Sequence, residues 1–491
     1  MPARKLGYAI IGVGSFIIFI MLAADLIGLG SGGIQAAQLL GIEIGILIAI
    51  LGYVLFIKSS ENENIGPEWG TRIAAFFSSP VVAIVAGLLV AFFLFSLVPM
   101  FLNADLRFQY FNRYLPDKFP IGLDLQTLLG RVETWFELKT PYPGDIPQFY
   151  PPLTYVFFSP LTMVEYPQAF LIMTLVTLFA FVILTLLLPI RMHPNGNHAV
   201  VFFLFAVTLF SYGFQFELER GQYNVLTFLF CILAVYIYHF HHKYRYIAYL
   251  LFSIAVQLKV FPAIFILMFV KDWRDWKGNL RRFVGIGLFN LLLLFILGFR
   301  VFQDFLNAIS RQVVSPSWLW NGNHSIQAFV FNLMKDGYGL IQPGALASLN
   351  QYSSLITNTL LLIFALCLLA VLALAYRRNE HDFNPYLLMV CTLGALIIPT
   401  SNDYTLSFFT APVAILFAAI TNGTTFKAKY LASLLIAVAS FAFGSTLFPF
   451  KYKPYYLNNN FPALFVILIA VTILYVLSNK NTNSEMTASN P

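Results

Sequence analysis

The chain has 491 residues, of which 59% are hydrophobic and only 10% charged, with a formal net charge of +7. A soluble domain carries about 25% charged residues, so this composition excludes a globular protein that covers itself in water. Nor is the positive charge a nucleic-acid signal: Lys and Arg gather in short stretches between apolar runs, where they set membrane topology.

Taken in chain order, apolar runs such as 6–29, 81–102, 355–376 and 461–476 are long enough to cross about 30 Å of hydrocarbon as helices. They are continuous and not alternating, so they read as helices and not barrel strands. The first run follows Arg4 and Lys5 without a small-residue cleavage site, which predicts an uncleaved first span. Spans are predicted near 6–29, 34–57, 73–102, 168–190, 199–217, 222–240, 283–302, 354–376, 385–400, 404–421, 430–449 and 460–478. The cysteines Cys231, Cys367 and Cys391 fall inside these runs without metal-ligand spacing and read as packed, reduced side chains.

Segment 246–270 behaves differently. His241, His242, Lys243 and Arg245 precede it, and Lys271, Arg274, Lys277, Arg281 and Arg282 follow it. The positive-inside rule asks for both flanks in the cytoplasm, yet about 25 residues at 1.5 Å each cannot cross a bilayer twice. Pro262 removes a backbone donor in its middle. The expectation is two half-helices meeting at a re-entrant tip, with Lys259 near mid-depth and the broken backbone buried in protein or facing a wet cavity.

With that choice Arg4, Lys58, Arg72, Arg191, Arg377, Arg378, Lys427 and Lys480 all face the cytoplasm, as do both termini. The class predicted is an all-α polytopic membrane protein, one domain over 1–478 with a disordered tail at 479–491 and no internal repeat. Two structured loops, about 103–151 and 303–353, then face outward. Within the first, apolar residues recur at helical spacing from Leu123 to Phe136, as expected of a helix lying on the membrane surface.

Candidate functional residues lie in and near those loops. Asp124 has the chemistry of a base that accepts a proton from an attacking hydroxyl, or of a helix cap after Gly122. Asp105 is a second carboxylate there, at the exit of the preceding run. Arg220-Gly221-Gln222-Tyr223-Asn224 stands where a head group enters, and equally suits an interface anchor with a cap. Lys259 at mid-depth costs about 2.5–3.5 kcal/mol on insertion scales and therefore needs a partner. That partner is an anionic phosphate, or a buried carboxylate such as Glu217 or Glu219. Trp318 and Trp320 with Asn321, Asn323, His324 and Ser325 combine rings and amides as a sugar requires; an aromatic belt explains the tryptophans alone. Ser401-Asn402-Asp403-Tyr404 reads as a helix cap.

These residues together resemble glycosyltransferase family 87, membrane enzymes of the GT-C fold that include polyprenol-phosphate-mannose-dependent α-mannosyltransferases. The resemblance runs from about Gly122 to Phe417. It rests on Asp124 with Pro141-Tyr142 and Tyr150-Pro151-Pro152, then Gly221-Gln222-Tyr223-Asn224, Leu258-Lys259-Val260-Phe261-Pro262 and Asn321-Gly322-Asn323-His324-Ser325. Departures are Leu125 after Asp124, where members often carry Phe or Tyr, and Pro399-Thr400-Ser401 in place of a serine-proline pair.

The spans predicted above number about twelve, and the resemblance implies Asp124 as catalytic base and a donor phosphate near Lys259. It further implies inverting hexosyl transfer, mannose first, from a polyprenyl-phosphate donor to a lipid or glycan acceptor at the outer face of a plasma membrane. Tyr142, Tyr150, Arg220, Gln222, Asn224, Asn321, Asn323, His324 and Ser325 are then expected to line the donor. No carboxylate pair calls for a metal, and no cofactor or nucleic-acid partner is expected. The rival reading from another class is a transporter or flippase of lipid-linked saccharides, which has no use for Asp124.

Overall fold

The computed structural model describes residues 3–23, 121–142, 150–193, 198–209, 211–314, 319–320, 322–336, 343–398, 400–420 and 459–478. The predicted spans 34–57, 73–102 and 430–449, the tail, Asp105, Trp318 and Asn321 lie outside the described residues. Two compact units are present, 1–118 with 165–171, and 119–164 with 172–491. In the first, α1 (Ala3–Ala23) is a single apolar helix. The second holds every candidate residue discussed below.

The described residues are helical and include no strand. α2 (Leu123–Phe136) takes the bounds that its periodicity predicts. It buries Leu125, Leu128, Leu129 and Val132, one face at the 3.6-residue repeat. After α3 (Pro152–Phe158), α4 (Tyr166–Val182) continues through one π-helical turn into α5 (Leu188–Met192). That stretch, Tyr166–Met192, and Ser353–Arg378 are long and apolar enough to cross a membrane. The bent pair Gly213–Arg220 and Asn224–Phe240 makes a third if it counts as one span.

Two predicted spans are broken. Segment 199–217 divides into α6 (His198–Leu209) and α7 (Tyr212–Arg220), because Ser211 caps the second helix by accepting from Phe214 N at 3.3 Å. Segment 283–302 divides into α10 (Trp276–Leu293) and a strongly amphipathic α11 (Phe299–Val314), separated at Gly298, whose φ is +93°. Hydropathy alone runs through both breaks, since the flanking residues stay apolar.

α8 (Asn224–Phe240) is buried along most of its length and meets α7 at a bend of 110°. Gly221 makes that bend in the left-handed region, φ +63°, where a side chain is disfavoured. α9 (Arg245–Leu258) ends at Lys259, which is extended, and a 3-10 helix follows over Phe261–Phe269. Phe269 returns to the rings of Tyr238 and Tyr249, and Met268 O bonds His239, so the chain doubles back on itself around Lys259. Proline at 262 leaves the carbonyl of Leu258 without its helical donor. The Thr154 hydroxyl supplies one, donating to Gln257 O at 2.9 Å and Leu258 O at 3.3 Å.

α12 (Ile326–Asp336) and α13 (Pro343–Asn350) precede the long α14 (Ser353–Arg378). Shorter apolar helices complete the unit: α15 (Pro385–Ile397), a 3-10 turn Asp403–Phe408 leading into α16 (Thr410–Ile420), and α17 (Phe461–Leu477). α7 lies directly on the Asp403–Phe408 turn, and Gly213 allows that approach. A Cβ there would stand 2.7 Å from the backbone oxygen of Asp403, which has no side-chain freedom to yield. Gly213→Ala is therefore expected to cost about 1–3 kcal/mol, the range for overpacking a tight contact. The measurement is a lowered thermal unfolding midpoint in nanodiscs; an unchanged midpoint would contradict the close approach.

Candidate functional site

Three chain segments bring the site together. Asp124 is the second residue of α2, yet its carboxylate does not cap that helix, whose N-cap is Gly122 with no side-chain bond. The Asp124 side chain instead accepts a 2.6 Å hydrogen bond from Gln222 Nε2, ninety-eight positions away in sequence. The backbone anchors this meeting, since Gly122 N donates to Glu219 O at 2.7 Å.

On its other side Gln222 accepts, through Oε1, a 3.0 Å bond from Lys259 Nζ. An ammonium only donates, so the Lys259 contact fixes which end of the amide is oxygen and turns the NH2 toward Asp124. Carboxylate, amide and ammonium thus form one directed chain. Among the described residues no carboxylate lies within ion-pair distance of Lys259; the buried Glu217, and Asp124 with it, act on its ammonium through space. Its ammonium sits between the rings of Tyr150, 4.5 Å from the centroid, and Tyr223, at 4.6 Å.

Tyr150 is the hinge of this cluster. Its ring stands edge-on to Tyr223 at 5.4 Å, and its hydroxyl is 3.4 Å from Gln222 Nε2. Burial, with the nearby Asp124 charge, pushes its phenol well above the usual range, so it stays protonated. The buried Tyr142 supports it from behind, donating from its hydroxyl to Tyr150 O at 2.6 Å and packing edge-on against Tyr155. Arg220 NH1 lies 3.9 Å from the second Asp124 oxygen, Oδ1, and its guanidinium rests over Phe216 at 5.2 Å.

Asn224 and Glu217 work together beneath the site. Glu217, buried, accepts from Val225 N at 3.0 Å and from Asn224 Nδ2 at 2.8 Å. A carboxylate at this position satisfies the first amides of α8 and complements its positive end. Asn224 therefore faces Glu217 and not the Asp124–Lys259 chain, and Glu217 caps α8.

The motif near residue 323 is used by the protein itself. Asn323, His324 and Ser325 are all fully buried. His324 Nδ1 accepts from Asn460 N at 3.1 Å, so the ring proton is on Nε2, which donates to Asp403 Oδ1 at 2.9 Å. Asn323 Oδ1 takes both Ser325 N and Ser401 N, and Ser325 Oγ caps α12 through Ala328 N. The starts of α12, the 403–408 turn and α17 thus satisfy one another's exposed amides. Asp403, expected to cap the helix after it, turns its carboxylate to His324. Exposed beside this frame are Trp320, whose Nε1 donates to Asn402 Oδ1 at 2.9 Å, and the half-buried Asn402 and Tyr404. Tyr404 packs on Phe216 at 5.4 Å, the ring that carries Arg220. Nothing in the spacing of Asn402 and Tyr404 after the polar loop signals this contact.

The family model that matches this chain is glycosyltransferase family 87, over residues 149–399. The match takes in Tyr150, Arg220, Gln222, Asn224, Lys259, Trp320, Asn323, His324 and Ser325; Asp124 and Tyr142 precede it. Comparison with curated proteins and with solved structures finds no match. The matched segment is just over half of the chain and holds the ammonium, the amide and the aromatic cradle of the site. The chain belongs to glycosyltransferase family 87.

Proposed function

We propose that this membrane glycosyltransferase transfers a hexose, mannose first, from a polyprenyl-phosphate donor to a lipid or glycan acceptor with inversion at the anomeric carbon. The observation that supports the reading is the directed chain Asp124–Gln222–Lys259, which joins a base and a cation through one amide. In the reaction Asp124 takes the proton of the acceptor hydroxyl as its oxygen bonds to the anomeric carbon. The bond from that carbon to the phosphate oxygen breaks on the opposite side, and the polyprenyl phosphate leaves as an anion. Lys259 neutralises the charge that develops there, so no general acid is needed.

Tyr150 and Tyr223 hold the ammonium in an aromatic cradle. Arg220 stands at the other carboxylate oxygen, beside the path of the incoming hydroxyl. Asn224, Asn323, His324 and Ser325 enter the proposal as the frame that aims these groups, and Asn321 as a further sugar contact in the same loop. A lipid-linked donor is reached from within the bilayer, which suits a site where the chain doubles back at Lys259. We further propose a GT-C fold of about twelve spans over 1–478, a site on the outer face of a plasma membrane, and both termini in the cytoplasm.

The test is transfer from radiolabelled polyprenyl-phosphate sugars in nanodiscs. Asp124→Asn is expected to lower kcat on the order of 10²–10⁴-fold, the range for losing a general base, with donor binding retained. Undiminished transfer would remove Asp124 from the mechanism. Donors that stay intact but cross the membrane of a vesicle would mark a transporter. A second expectation concerns Gln222. Gln222→Leu breaks the orienting chain without removing base or cation, and is expected to lower kcat about 10–100-fold, as loss of an orienting partner does. Steady-state kinetics on both substrates reads it: a change confined to donor KM would make Gln222 a binding group alone.

A further inference from the structure

α8 and α9 pack against each other, and the site described above occupies only one end of the pair. Tyr238 lies fourteen positions after Asn224 on α8, and Lys259 closes α9 fourteen positions after Arg245 opens it. At 1.5 Å per residue that is about 21 Å along each helix. The far end has a chemistry of its own. There the Tyr238 ring carries two guanidiniums, Arg245 at 5.2 Å from its centroid and Arg282 of α10 at 5.6 Å. Both are fixed. Arg282 Nη1 donates to Phe269 O and to Asn279 Oδ1, each at 2.8 Å, and Arg245 Nη2 donates to His242 Nδ1 at 3.0 Å.

No negative charge answers this pair. Among the described residues neither guanidinium has a carboxylate within ion-pair distance. The acidic residues that precede α10 hold backbone instead: Asp272 Oδ1 takes Arg274 N at 2.8 Å, and Asp275 Oδ1 takes Gly278 N at 2.9 Å. Tyr238 is only 1% exposed, yet its hydroxyl has no hydrogen-bond partner among the described residues, and neither has the buried Arg245 Nε. Like charges on one ring repel, and buried donors without acceptors are costly. An oxyanion seated against the two guanidiniums neutralises the pair and supplies acceptors to these donors.

The border of the cluster is apolar. Within two turns of the guanidiniums, α9 exposes Ile247 and Leu250, and α10 exposes Val284 and Leu288. A free anion has no use for such a border, whereas a phospholipid covers it with acyl chains while its phosphate meets the cations. Two guanidiniums without a counter-charge repel a choline, which selects an anionic head group. We infer that Arg245 and Arg282, set on Tyr238, bind the phosphate of one anionic phospholipid whose acyl chains lie along α9 and α10. This site is separate from the proposed transfer and does not depend on it.

The test is native mass spectrometry of the full chain in a neutral detergent, titrated with dioleoylphosphatidylglycerol and, as control lipid, dioleoylphosphatidylcholine. A single phosphatidylglycerol is expected to be retained in preference to phosphatidylcholine. Arg245→Ala with Arg282→Ala is expected to lower that affinity about tenfold or more, since both charge-assisted contacts are lost. Lys243 and Lys277 hold their ammoniums over Tyr244 and Trp276 instead. Lys243→Ala with Lys277→Ala removes the same charge and is expected to stay within about twofold, as exposed charges are screened. Arg245→Lys with Arg282→Lys keeps the charge without the planar fork and is expected to lose about threefold or more. This milder pair reads the site even if the alanine pair does not fold. Equal losses in the lysine and arginine alanine pairs would reduce the effect to attraction by a basic surface. Unchanged retention in either arginine pair, or no preference for phosphatidylglycerol, would remove the site. Inorganic phosphate that displaces the lipid at comparable concentration would make it a free-anion site. Each of these outcomes overturns the inference.

Discussion

A carboxylate that only accepts hydrogen bonds and an ammonium that only donates them are joined here by one primary amide. Gln222 is the residue type that can serve both at once, because its two ends have opposite hydrogen-bonding character. The contact from Lys259 orients the amide, and the amide in turn orients Asp124. Much of the surrounding structure can be understood as holding that amide still. Gly221 turns the chain sharply enough to place Gln222 between α7 and α8, the Glu217 carbonyl receives the Gln222 amide N–H at 2.9 Å, and Gly122 is tied to Glu219. The Gln222 side chain is thus fixed at its backbone and at both functional ends.

The same site is reached through interrupted helices. Breaking a helix in an apolar setting leaves carbonyls and amides without partners, and each unmade bond costs more than a made one contributes. The structure meets this with side chains: Thr154 serves the end of α9, Glu217 the start of α8, Ser211 the start of α7. These are the places where the backbone stops being regular and functional groups become available. Lys259 follows directly on one such break and Gln222 lies within another.

A second group of helix starts forms the frame beside the site. Asn323, His324, Ser325, Asp403 and Asn459 exchange hydrogen bonds across segments 78 to 136 residues apart, including Asn459 Nδ2 to Asn323 O at 3.0 Å. His324 is neutral in this network, with one nitrogen accepting from backbone and the other donating to a carboxylate. Its role as a joint leaves Trp320 and Asn402 as the parts of the loop that face outward. The arrangement explains how polar residues expected to meet a sugar come to be buried, and how the aromatic residue next to them remains exposed.

Local physics made some features readable from the amino-acid sequence. The scarcity of charge established a membrane chain, the spacing of Leu125, Leu128, Leu129 and Val132 gave α2 its bounds, and Pro262 marked the break beside Lys259. Each depends on a residue and its near neighbours, through helical periodicity or a missing N–H. The resemblance to glycosyltransferase family 87 implied one site for Asp124, Gln222 and Lys259. Tertiary structure decided the rest, because hydrogen-bond partners separated by tens of residues leave no periodic trace. It turned Asp124 away from its own helix and toward Gln222, gave Glu217 rather than Asn224 the task of capping α8, and divided 199–217 and 283–302 where hydropathy runs on unbroken. It also directed His324 inward and Trp320 outward from one short loop, since burial of a side chain is settled by what packs over it and not by its place in the chain.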